Sequence, residues 1–185
     1  MTTYILHGGI TKTDNENNRA FFRMMADGLP ENGTWLVVFF ASEDPSQNTR
    51  KFQEECDRIK VYTQNKIIHF EMATEENFPQ QLAKADVVYF RGGRSSNLMR
   101  IVKQWPNLKS WLSNCKVVAG SSAGANMLCR DFVGRDVGLM QGLGLIPMGM
   151  VVHYQAPEFL ASQDISQRER PLLMLQETQF CVIEM

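Results

Sequence analysis

Cysteine pairs, basic runs and long apolar stretches are all missing from this chain of 185 residues. Its four cysteines, Cys56, Cys115, Cys129 and Cys181, stand far apart and form no C-x-x-C pair. With only three histidines and no metal-ligand spacing, neither a structural zinc site nor a cofactor is expected. The cysteines instead read as reduced core thiols of a cytoplasmic protein. The formal net charge is −1 and no block of Lys or Arg occurs, so nucleic acid and anionic membranes are not expected partners. No apolar run reaches the length of a membrane span, and the N-terminus lacks a signal-peptide pattern. Repeats, linkers and low-complexity segments are absent too. Residues 1–185 are therefore expected to form one domain with a sizeable core.

What the chain does have is regular alternation. Short apolar runs at 4–7, 35–40, 66–70, 86–90 and 117–119 read as buried strands. Between them, amphipathic stretches at 14–27, 46–62, 78–85, 95–104 and 108–112 read as helices. That order predicts an α/β fold, a doubly wound, mostly parallel sheet with helices on both faces. Ligands of such sheets sit beyond the carboxyl ends of the strands. After residue 130 the pattern weakens. Residues 131–150, punctuated by Gly142, Gly144 and Pro147, read as a loop, followed by a short strand ending at His153. A helix over 162–175 and a last strand over 180–184 complete the expectation.

One stretch stands out for chemistry. Val117-Val118-Ala119 leads into Gly120-Ser121-Ser122-Ala123-Gly124, a G-x-S-x-G sequence centred on Ser122. Such a sequence marks a nucleophile elbow, where a serine rides a tight turn between a strand and a helix. Three fixed positions recur by accident in about one chain of this length in twenty, so context must support it. Here the strand before and the helix after do so. Ser122 needs a base, and His153, at the end of an apolar run beyond the elbow, suits that role better than His7 or His69. The two others lie in strands, where packing roles are expected. A carboxylate should orient the imidazole, with Asp131, Asp136, Glu158, Asp164, Glu169, Glu177 and Glu184 all available downstream. The oxyanion donors would be the amides of Ala123 and Gly93, because glycine permits close backbone approach.

Taken together, these motifs resemble the dipeptidase E and cyanophycinase family of serine peptidases, which share a flavodoxin-like sheet with class I glutamine amidotransferases. The resemblance rests on the opening residues 4–9, Arg91-Gly92-Gly93, the elbow through Ala125-Asn126, and Gly142-Leu143-Gly144-Leu145 leading to His153-Tyr154. It implies Ser122 as nucleophile, His153 as general base, and hydrolysis of aspartyl peptides without a metal. Gly92 and Arg94 would line the substrate crevice. Arg168 and Arg170, where relatives carry arginines, would grip the substrate carboxylate as bidentate partners. Arg94 departs from the family, which often has asparagine after the glycine pair. The second departure is the C-terminus. Relatives carry an acidic residue in a turn just after the strand matching residues 181–185, and this chain stops at Met185. The resemblance then leaves Asp136 as the residue orienting His153, or else an incomplete triad, or a gene product cut short. Apolar surface exposed on a truncated last strand would favour a homodimer.

Three other readings compete. An α/β-hydrolase esterase needs its acid and histidine after further strands, and only 63 residues follow Ser122. A glutamine amidotransferase needs cysteine at the elbow. A non-catalytic relative that binds a small acidic ligand in the same crevice is the alternative left by the unassigned carboxylate.

Overall fold

A computed structural model describes residues 1–64, 66–135, 137–155 and 171–185. Its main sheet has six strands in the order β10-β1-β5-β4-β2-β3. The strands are β1 (Thr3–His7), β2 (Asn32–Val38), β3 (Ile67–Met72), β4 (Val87–Phe90), β5 (Val117–Ser121) and β10 (Phe180–Glu184). Every neighbouring pair is parallel except β1 with β10. Parallel strands cannot be joined by tight hairpins, so each is followed by a crossover. The crossovers carry α1 (Glu16–Asp27), α2 (Asn48–Lys60), α3 (Phe78–Leu82), α4 (Ser95–Val102) and α5 (Leu108–Leu112).

Strand side chains alternate between two cores, because successive residues point to opposite faces. Tyr4, Leu6, Val88, Phe90 and Val118 belong to one cluster, and Ile5, Val87, Tyr89, Val117 and Ala119 to the other. Burial on both faces is what the continuous apolar runs demand. The doubly wound α/β expectation is thus met. Among the described residues, no helix is long and apolar enough to cross a membrane.

The chain after the elbow departs from expectation. Its helix, α6 (Ala123–Leu128), is short, and Cys129 already opens a strand. The described residues of 131–150 do not form one loop. They contribute to a second sheet, ordered β7-β6-β8-β9, built from β6 (Cys129–Gly134), β7 (Gly138–Gln141), β8 (Ile146–Val152) and β9 (Leu172–Leu175). Gly134 and Gly138 pair at the end of the β6–β7 hairpin, the latter at φ +61°, while Gly142 and Gly144 lie in the connection from β7 to β8. Pro147 falls near the start of β8, where the pairing with β6 slips register.

The helix expected over 162–175 is contradicted at its end. Leu172-Leu173-Met174-Leu175 are helix formers by propensity, but parallel pairing with β8 makes them a strand. Residues 156–170 lie outside the described residues. His69 also differs from its expected packing role, since it is exposed on the edge strand β3.

Candidate active site

Ser122 sits between the end of β5 and the start of α6, at φ +51° and ψ −112°. A non-glycine residue held there is strained, and such strain gathers at functional positions. The turn is tight on both sides: a Cβ on Gly124 would lie 2.2 Å from the Phe90 carbonyl oxygen. The strand therefore delivers the serine to a crevice at the sheet's carboxyl end, as the G-x-S-x-G spacing predicts.

His153, immediately after β8, is likewise at positive φ, +55°. Its Nε2 lies 2.7 Å from Ser122 Oγ. Its Nδ1 lies 2.6 Å from Oε1 of Glu177. Glu177 occupies the turn between β9 and β10, next to Thr178 at φ +64°. A carboxylate on Nδ1 holds that proton in place and leaves Nε2 as an acceptor facing the serine hydroxyl. The second oxygen of Glu177, Oε2, is buried and has no hydrogen-bond partner among the described residues.

The position beside His153 Nδ1 that Asp136 was expected to fill is therefore taken by Glu177. Asp136 itself lies outside the described residues, as do Arg168 and Arg170. The acid-bearing turn follows β9, so it falls before β10 and well inside the chain, rather than beyond Met185. Recognising 172–175 as a strand would have put Gln176-Glu177-Thr178 at a strand end, level with His153.

Gly93 lies on the opposite wall, whereas Gly92, expected to line the crevice, is not among its lining residues. Gly93 is at φ +153°, and a Cβ there would lie 2.0 Å from the Ala41 carbonyl oxygen. No other residue fits. The Gly92 amide donates to Ser121 Oγ at 3.1 Å, and that oxygen also lies 3.1 Å from the Tyr89 hydroxyl. Just before the loop, Arg91 pairs with the buried Glu55 at 3.1 Å and covers the Phe39 ring. Burial pushes the Glu55 carboxyl up, and the Arg91 and Arg58 guanidiniums draw it back down. Ala123, buried behind the nucleophile, begins α6, where the first amides have no intrahelical acceptors.

Around Ser122 the crevice has a volume of about 330 Å³. Gly93, Arg94, Asn126 and His153 line it, together with Glu43 and Arg135, which the sequence did not single out. Arg94 is exposed and pairs with Glu43 at 3.2 Å. Among the described residues, no group of three His, Cys, Asp or Glu side chains could hold a metal ion.

His7 has the packing role expected of it. It is fully buried, between the Gly9 amide (3.0 Å to Nδ1) and the Asn18 side-chain oxygen (2.8 Å to Nε2). Burial lowers its pKa from 6.5 to about 4, against the opposing effect of the Asn18 bond. The unfolded chain thus binds a proton at this site between pH 6.5 and 4 that the folded chain refuses. Stability should fall as pH drops through that window, by about 3 kcal/mol in total from this group. Denaturant titrations between pH 7 and 4 check this, with His7→Asn expected to flatten the dependence. Equal slopes in both proteins would contradict it.

The chain belongs to peptidase family S51, a family of serine peptidases, whose pattern it matches over residues 4–184. The resemblance to the dipeptidase E family is thereby borne out. Solved structures share its fold, among them the two that follow. A peptidase from an acI-B1 Actinobacterium superposes with a TM-score of 0.70 at 16% identity, covering 99% of this chain and 83% of the other. A Listeria monocytogenes EGD-e protein named for peptidase E superposes with a TM-score of 0.64 at 15% identity, covering 99% and 94%. None of the curated proteins matches.

Proposed function

We propose that this protein hydrolyses small peptides, preferably Asp-X dipeptides, by a serine nucleophile mechanism. The observation that carries the proposal is the continuous hydrogen-bonded line from Ser122 Oγ through His153 to Glu177. In that mechanism Ser122 Oγ attacks the scissile carbonyl carbon while His153 Nε2 takes the hydroxyl proton. The carbonyl oxygen becomes an oxyanion, received by the amides of Gly93 and Ala123. His153 then returns the proton to the leaving amine, and the C–N bond breaks to leave an acyl-serine. Water, deprotonated by the same nitrogen, hydrolyses that ester and frees Ser122. Glu177 keeps its charge throughout and stabilises the imidazolium formed in each half of the cycle.

A crevice of about 330 Å³ suits a ligand of dipeptide size. The aspartyl preference has support in the arginines on its wall, Arg94 and Arg135, since guanidinium groups bind carboxylates bidentately. Arg94 would exchange its exposed partner Glu43 for the substrate. The reading as a non-catalytic binder loses its motive, because it depended on a missing carboxylate and Glu177 supplies one. Hydrolysis of Asp-Leu and Ala-Leu, followed by amine release, tests the substrate class. We expect kcat/KM for Asp-Leu to be higher by about 100-fold, the scale of one charge-assisted pair. Equal values would sink the aspartyl preference.

A further inference from the structure

The residues Ser122, His153 and Glu177 come from three separate parts of the chain, yet each is tied to the same tripeptide. At the end of β1, the backbone of His7-Gly8-Gly9 bonds to Ser122, to His153 and to the residue after Glu177. The Ser122 amide donates to the His7 carbonyl at 2.9 Å, and the His153 amide to the Gly8 carbonyl at 3.2 Å. Thr178, next to Glu177, donates to the Gly9 carbonyl at 3.1 Å, and the Gly8 amide donates to Gln179 at 2.8 Å. The fit is close. Gly9 is at φ +137°, and a Cβ there would lie 2.2 Å from His153 Cε1 and 2.8 Å from Glu177 Oε2. A small displacement of Gly9 would therefore be felt directly by the imidazole and the carboxylate.

The His7 side chain adds a further bond to this tripeptide. Asn18 Nδ2 donates to the carbonyls of Ile10 (2.9 Å) and Thr13 (2.6 Å), which turns its oxygen towards His7. His7 Nε2 must then carry the proton it donates to Asn18 Oδ1. That leaves Nδ1 with a lone pair, which accepts the Gly9 amide. Each donor meets an acceptor in one consistent tautomer, with nothing left over on the ring.

We propose that His7 is a positioning residue for the Ser122–His153–Glu177 line, holding the Gly9 amide through Nδ1 and so fixing the turn against which His153 and Glu177 rest. The inference depends on the serine-peptidase reading above. Its mechanism separates three substitutions. His7→Asn keeps an acceptor where Nδ1 stands, His7→Gln keeps only the reach towards Asn18, and His7→Leu keeps neither. The readouts are the rate of Ser122 labelling by a fluorophosphonate and kcat and KM on Asp-Leu, each referred to the folded fraction measured by circular dichroism. A misplacement of about 1 Å costs on the order of 100-fold in rate, so His7→Gln and His7→Leu should lose that much in kcat and labelling. His7→Asn should stay within about threefold, and KM should change little in any of them. If His7→Leu fails to fold, the contrast between His7→Asn and His7→Gln decides alone. Equal rates in all folded variants, or a loss in His7→Asn as large as in His7→Gln, would overturn the inference. An unlabelled parent protein would instead remove the peptidase reading beneath it.

Discussion

Glu177→Gln is expected to lower kcat by about four orders of magnitude, with KM little changed. The substitution keeps the length and shape of the side chain, so the turn after β9 should survive. It alters what faces His153 Nδ1. A carboxylate can only accept there, whereas a carboxamide can present its NH₂ and donate. The imidazole would then carry its proton on Nε2, pointing at Ser122, and could not receive the hydroxyl proton. Even with the amide oxygen turned inward, the imidazolium formed during attack would lose its counter-charge. The matching substitution Asp136→Asn provides the comparison. A larger loss from Asp136→Asn than from Glu177→Gln would reverse the assignment of the orienting acid.

Ser122→Ala is expected to reduce turnover by about a million-fold, the scale seen when a triad nucleophile is removed. Catalysis remaining after that change would come from the oxyanion donors and from binding, so substrate affinity should persist. Alanine would occupy the same positive-φ position, so the variant should also show whether the strained turn depends on the hydroxyl. Near-parent turnover in Ser122→Ala would require a different nucleophile.

Much of this site was legible because its parts are local. The elbow needs only a strand, a G-x-S-x-G turn and a helix, all within residues 117–128. The Gly92-Gly93 loop follows the apolar run ending at Phe90 in the same way. His153 could be chosen because it ends the last apolar run before the chain changes character. Glu177 was only one of seven acids because its role is non-local. It depends on β9 pairing with β8, and on the β9–β10 turn meeting the end of β1. Leu172 to Leu175 carry no β-branched residue, so local propensity pointed to a helix and concealed that pairing. The second sheet was hidden for a related reason. Its glycines and proline mimic loop punctuation, while the partners that make it a sheet are distant in sequence. His7 carried no visible signal beyond ending a strand, since its role lies in the backbone groups gathered around it.

The most direct measurement is fluorophosphonate labelling of the intact protein, read by mass and mapped to the modified residue. One adduct is predicted, on Ser122. It should be absent in Ser122→Ala and form far more slowly in Glu177→Gln. A folded parent protein that takes no label, or takes it elsewhere than Ser122, would contradict the account.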